Sequence, residues 1–188
     1  MALLPLSTEP FALPTDRDMA PSERRLFVNT HRTCVFGYAR RSDGPAQSVV
    51  YYIPTDDGEL LVATMAGRAK AKAVERLGKV SLLVLDEQWP VGYLTVYCNA
   101  VVDRDLELTV DVAMAVAGRM SGEELAEDAR PFVEAMVKEE GRVVLRCTPY
   151  ATFATPPRHL HRNDQDEKVT HWLSGSVPWD AADVEASA

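Results

Sequence analysis

The chain has 188 residues, 46% of them hydrophobic, and a formal net charge of −8 from 28 acidic and 20 basic side chains. That length supports one domain with a sizeable core and short tails. The acidic balance argues against nucleic acid or an anionic membrane surface as the main partner, and no apolar run approaches the roughly 18 residues that span a bilayer.

Cys34, Cys98 and Cys147 lie in strand-like runs, with no CxxC pair. An odd, dispersed set reads as buried free thiols in a reducing cytoplasm. The N-terminal stretch MALLPLSTEPFALP carries three prolines and no basic region, so it reads poorly as a signal peptide. The expected location is cytoplasmic.

Residues 1–20 read as an irregular arm, either disordered or draped on a partner subunit. Pro21-Ser22-Glu23 opens a short helix to about residue 30. Strands follow over 33–40, 47–53 and 59–65, separated by the turn signals Ser42-Asp43-Gly44-Pro45 and Asp57-Gly58. Tight turns between three strands predict an antiparallel meander.

Arg68 to Leu77 places Ala69, Ala73, Val74 and Leu77 on one helical face, and Gly78 stands at the expected stop. Residues 79–86 form a fourth, nearly all-apolar strand. A long fifth strand over 91–103 alternates Leu94, Val96, Cys98, Ala100 and Val102 with Tyr93, Thr95, Tyr97, Asn99 and Val101. Residues 107–140 read as helical with a break at Gly118 and Pro131 as a second candidate break, and Leu125, Ala129, Phe132, Val133, Met136 and Val137 form its apolar stripe. A sixth strand covers 142–153. Beyond Pro156 the pattern is lost, and residues 156–188 read as a surface extension. Its Trp172 and Trp179 favour docking of part of it on the body or on a second subunit.

The charges around residue 68 are in an unusual place. Arg68, Lys70 and Lys72 all fall near the first helical turn, where each cation opposes the helix dipole by about 0.3–1 kcal/mol. A phosphate bound at that end reverses the argument, because free N–H groups and the dipole already favour an anion there. Thr64 could add a hydroxyl. A solvated basic face is the other reading of the same residues.

The order and spacing of these elements resemble the split β-barrel flavin-binding family, that of the pyridoxamine-phosphate-oxidase-like proteins and their deazaflavin-dependent relatives. The resemblance covers about residues 22–154 and is carried by SVVYYIPTDDGELLVAT at 48–64, GRAKAKAVERLGKVSLLV at 67–84 and VGYLTVYCNAVV at 91–102. It implies a mainly β fold with α (α+β), a six-stranded antiparallel split β-barrel with flanking helices, over residues 21–155. It also implies a homodimer holding two flavins in clefts between subunits, with the phosphate on Thr64, Arg68 and Lys70 and the ring along the second strand at Val50 and Tyr51.

The resemblance has three local departures. Ala69-Lys70 stands where members often have Arg-Lys, Cys98 stands where a Gly is common, and the C-terminal region has no counterpart of the oxidase's substrate-binding end. The implied protein is therefore a relative of that oxidase: an FMN-dependent oxidoreductase acting on a small organic molecule. The alternatives are a deazaflavin-dependent reductase of the same fold and a non-catalytic flavin- or haem-binding protein, with haem ranked last.

No side chain stands out as a catalytic residue, which suits a reaction carried by a cofactor. Tyr93 and Tyr97 are the best candidates near a cleft, though each reads better as a plain barrel tyrosine. His159, His161 and His171 could hold a metal or haem but read better as tail residues, so no metal site is assigned. His31 and Arg32 read as a helix-end contact.

Overall fold

In the computed structural model, which describes residues 1–8, 11–14, 18–86, 92–155 and 176–183, the chain enters the fold through α1 (Pro21–Thr30). Pro21 supplies a helical φ where no N–H partner is needed. Glu23 accepts the Ala20 N–H at 2.7 Å. The buried side of α1 is Arg24, Phe27 and Val28, and Arg24 donates to the Met19 carbonyl and the Thr152 hydroxyl.

β1 (Thr33–Tyr38) and β2 (Ala46–Tyr51) form a hairpin in which Cys34 faces Val50 and Phe36 faces Ser48 across the ladder. The strand expected over 47–53 is broken at Tyr52. That ring is fully buried, and its hydroxyl donates to the Val28 carbonyl at 2.6 Å. Anchored on α1, Tyr52 takes the chain off the line of β2. A second hairpin then begins, β3 (Ile53–Pro54) and β4 (Leu60–Met65).

β4 pairs with β7 (Arg142–Ala154), from Leu60–Cys147 to Met65–Arg142, so the expected three-strand meander does not form. β5 (Lys79–Asp86) and β6 (Gly92–Asp103) complete the path, whose order is β2–β1–β5–β6–β7–β4–β3. The ladders are antiparallel, and β8 (Val177–Pro178) adds to β7. With α2 (Ala69–Leu77), α3 (Leu106–Ser121) and α4 (Arg130–Glu140) against the curled sheet, this is an α+β split barrel with flanking helices.

The alternation expected for the fifth strand holds. Leu94, Val96, Cys98 and Ala100 are buried in the barrel core with Phe36, Leu82 and Leu145, while Val101 is 62% exposed. Between Tyr97 and Cys98 the pairing with β7 shifts, leaving Tyr150 as an extra residue beside Pro149. A bulge is where a strand tolerates a residue with no N–H. Tyr150 stacks on Tyr97 on the outer face, with the Lys79 ammonium 4.6 Å from its ring centre.

α3 begins at Asp105, whose carboxylate accepts the Leu108 N–H at 2.7 Å. It runs through Gly118, where a break was expected. Gly118 is needed for closeness instead: a Cβ there would stand 3.1 Å from the Glu123 carbonyl of the turn folded back on the helix. One 3-10 turn, Glu127–Ala129, resets the phase before α4. In consequence Val133 and Val137 are buried against α3, whereas Phe132, expected in the same stripe, is 75% exposed.

The first residues lie along β3: Leu3 bridges Thr55, and the Leu4 N–H reaches the Pro54 carbonyl. At the other end Arg25 holds the Trp179 and Ala181 carbonyls, and Asp183 accepts from both the N–H and the hydroxyl of Ser22. Trp179 packs against the core, so this part of the extension docks on the body. Trp172 and the three tail histidines lie outside the described residues. Among the described residues no helix is long and apolar enough to cross a membrane.

Cys34, Cys98 and Cys147 are free and buried. Burial pushes the Cys34 thiol up to about 12, against a small opposing effect of Lys70. Alkylation with iodoacetamide at neutral pH should label none of the three in the folded protein and all of them in denaturant. The sign of the linkage follows. Unfolded thiols ionise at lower pH than folded ones, so stability should fall as pH rises from the ordinary thiol value of 9.0 towards about 12, read as a falling urea midpoint.

Candidate functional site: the start of α2

The path from β4 into α2 is short and tightly held. The Arg68 N–H closes a turn on the Met65 carbonyl at 3.1 Å, and the Ala66 N–H is taken by the Gly141 carbonyl. Arg68 is the N-cap of α2 and offers no side-chain cap. The first intrahelical bond is Lys72 N–H to the Arg68 carbonyl, which leaves the N–H groups of residues 69–71 directed out of the helix.

Leu60, Val62 and Thr64 face the barrel interior, while Leu61 and Ala63 face α3. Thr64 is 5% exposed, yet its hydroxyl makes no hydrogen bond among the described residues. Lys70 is 8% exposed. Its ammonium lies 5.9 Å from the centre of the Phe36 ring and meets no carboxylate among the described residues. Burial, and then the charge of Arg68, pull this ammonium below the usual lysine range, with Cys34 acting the other way. Arg68 itself is exposed.

Ser48 stands opposite Phe36, the ring beneath the Lys70 ammonium. Its hydroxyl is sealed from solvent and has no partner among the described residues. Sequence reasoning passed over this residue. The available signal was its parity with Val50, which puts a lone hydroxyl on the inward face of β2.

Of the second-strand pair, Val50 packs against the barrel core and Tyr51 is half-buried. β2 ends the sheet, and among the described residues its one ladder is with β1. Because the Tyr52 N–H bonds to the Arg32 carbonyl, the alternation of an antiparallel ladder makes Val50–Cys34 a hydrogen-bonded pair. The main-chain groups of Val49 and Tyr51 then point to the open edge.

The two tyrosine candidates stay on the outer face: Tyr93 shares a 2.9 Å hydrogen bond with Thr155, and Tyr97 stacks on Tyr150. His31 makes the expected helix-end contact, its Nδ1 2.7 Å from the Phe27 carbonyl, and Arg32 reaches the Arg119 carbonyl. Among the described residues no group of three or more His, Cys, Asp or Glu side chains is placed to hold a metal ion.

This architecture has a family. The family model described as pyridoxamine 5'-phosphate oxidase matches residues 20–156, and the chain belongs to that family. Among solved structures it is similar to the conserved hypothetical protein Rv2991 of Mycobacterium tuberculosis, at 24% identity over 79% of this chain and 92% of that one, with a TM-score of 0.66. It is also similar to a Clostridium acetobutylicum protein related to general stress protein 26, of the pyridoxinephosphate oxidase family, at 10% identity over 84% and 93% of the two chains, with a TM-score of 0.55. The protein Atu2129 of Agrobacterium tumefaciens, of unknown function, aligns at 14% identity over 82% of this chain and 62% of that one, with a TM-score of 0.57. At these identities the likeness shows the fold alone. No curated protein matches the sequence.

A cation that is mostly buried, lacks a carboxylate and sits at the positive end of a helix destabilises the protein that carries it. Lys70→Met keeps the stem and removes the charge. It should raise the stability of the ligand-free protein by about 0.5–1 kcal/mol, seen as a higher urea midpoint at unchanged m. A drop in the midpoint would show that the ammonium is already satisfied.

Proposed function

We propose that the chain is an FMN-dependent oxidoreductase that works as a homodimer on a small organic substrate. In this reading the phosphate of FMN sits at the start of α2 and the flavin ring lies along β2. The observation that carries it is the set of polar groups without partners around one helix end: the Thr64 hydroxyl, the Lys70 ammonium, the sealed Ser48 hydroxyl and the free N–H groups of α2. A phosphate supplies acceptors for the donors at the helix start and reverses the sign of the dipole interaction.

Bound there, the flavin supplies hydride or electron transfer. The residues of this chain hold and orient it. Lys70 and Arg68 balance the phosphate charge, and Thr64 donates a hydrogen bond to it. The main-chain groups of Val49 and Tyr51 suit the polar edge of a ring, while the inward Val50 side chain keeps β2 in place. Exposed Val49, Leu85, Val101 and Tyr150, spread over β2, β5, β6 and β7, offer the apolar area that a second copy would cover.

A second reading, the deazaflavin cofactor with its acidic tail, is favoured by one feature. A groove of about 760 Å³ beside the α2 start is lined by Arg40, Arg41, Lys72 and Arg76. Arg40 is paired with Asp43, and Glu75 of the same groove is held by Arg104. Arg41 and Lys72 meet no carboxylate among the described residues.

The absorption spectrum of the purified protein, followed by titration with FMN and then with the deazaflavin cofactor, tests both readings. Lys70→Ala should weaken whichever cofactor binds by about 1.5–3 kcal/mol, roughly tenfold to a hundredfold. Charge reversal at Arg41 and Lys72 should weaken the deazaflavin and leave FMN nearly unchanged. Unaltered affinity in Lys70→Ala would move the phosphate elsewhere, and failure of both cofactors to bind would overturn the proposal.

A further inference from the structure

A second cavity has no residue of β2 or α2 in its lining. It is an opening of about 380 Å³ between the N-terminal arm, the end of α3 and the turn that follows. Its volume is at the small end for a ligand site. Leu4, Leu6, Met114 and Leu125 give it apolar walls, and Arg119 lies against it.

Arg119 is 7% exposed, and among the described residues carbonyls alone hold its guanidinium. Nη1 donates to the Tyr52 carbonyl at 3.0 Å and to the His31 carbonyl at 3.4 Å, and Nη2 donates to the Leu4 carbonyl at 3.1 Å. A guanidinium has five N–H donors. The Nε–H and one N–H of Nη2 therefore take no acceptor among the described residues, and no carboxylate there pairs with the charge. A buried charge with neither counter-ion nor full hydrogen bonding is costly to keep.

The other charges of the cavity are differently placed. Arg130 is committed to Glu107 and Asp111 at 2.9 and 2.7 Å. Glu124 and Glu127 are exposed at the rim. The cavity thus has one unbalanced positive charge inside, apolar walls, and negative charge at the mouth.

We infer that this cavity binds a small monocarboxylate with an apolar body, its carboxylate on the free N–H groups of Arg119 and its chain along Leu4, Leu6, Met114 and Leu125. The rim glutamates repel a second negative charge, so dicarboxylates and phosphates are excluded. None of the residues of the proposed flavin site lines this cavity, although Arg119 also holds the carbonyl of Tyr52, the residue that follows β2.

Calorimetric titration of the full chain with hexanoate should show saturable binding, roughly millimolar or tighter. Hexanol, succinate and inorganic phosphate should each bind at least about tenfold more weakly. Ala115→Phe puts a ring into the cavity from the same face of α3 as Arg119 and should abolish hexanoate binding while the protein still unfolds cooperatively. Arg119→Gln should weaken hexanoate and leave hexanol unchanged. The inference fails if hexanol binds as well as hexanoate, if hexanoate gives no saturable heat, or if its binding survives Ala115→Phe. If Arg119→Gln does not fold, the comparison of hexanol with hexanoate and the Ala115→Phe variant still decide the matter.

Discussion

The ladder between β4 and β7 is the constraint on which the rest of the molecule depends. It joins Leu60–Met65 to Arg142–Cys147 across most of the domain's length. Had β4 paired with β2 instead, α2 would follow a flat three-strand sheet and could not cap a barrel. Paired with β7, β4 turns Leu60, Val62 and Thr64 inward and Leu61 and Ala63 towards α3. The same ladder places the turn at 65–68 beside Gly141, which accepts the Ala66 N–H. The position of the α2 start is therefore fixed by contacts made by both halves of the chain. Closing so distant a pair also makes this a fold dominated by non-local contacts, which form late and slowly.

Of the three buried cations among the described residues, two are managed in one way and the third in the opposite way. Arg24 and Arg119 are wrapped by main-chain carbonyls that draw α1 and α3 onto the sheet and the arm. Lys70 is offered no such wrapping and rests over an aromatic ring. A guanidinium can serve several carbonyls at once because its donors are spread in a plane, whereas an ammonium is a compact charge that recruits a ligand or solvent. The choice of lysine at the helix start and arginine at the structural joints follows that difference.

Much of the local structure was legible because it rests on local chemistry. Gly78 reads as a helix stop and adopts φ 61° with its N–H on the Val74 carbonyl. The alternation of β6 reads directly as buried and exposed faces. Tyr52 was not legible: tyrosine favours strands, and only its hydrogen bond to Val28, far away in sequence, ends β2 there. Strand pairing was misread for a related reason, since a period of two is the same whichever neighbour the strand takes. At the candidate site, Arg68 and Lys70 could be singled out because cations at a helix start contradict the dipole, and Thr64 because its hydroxyl ends the strand just before them. Ser48 could not, because a serine in a strand is ordinary until its hydroxyl is found sealed without a partner.

The two ends of the sheet are finished differently. At β3 the N-terminal arm lies alongside, with Leu3 bridging Thr55 and Leu4 bonded to Pro54. At β2 nothing in the chain's described residues covers the edge, which carries Val49 at 72% exposure and no lysine between Ala46 and Tyr51. An uncovered apolar edge is a template for any other extended chain. A ligand or second chain lying along that edge would therefore also shield it from aggregation.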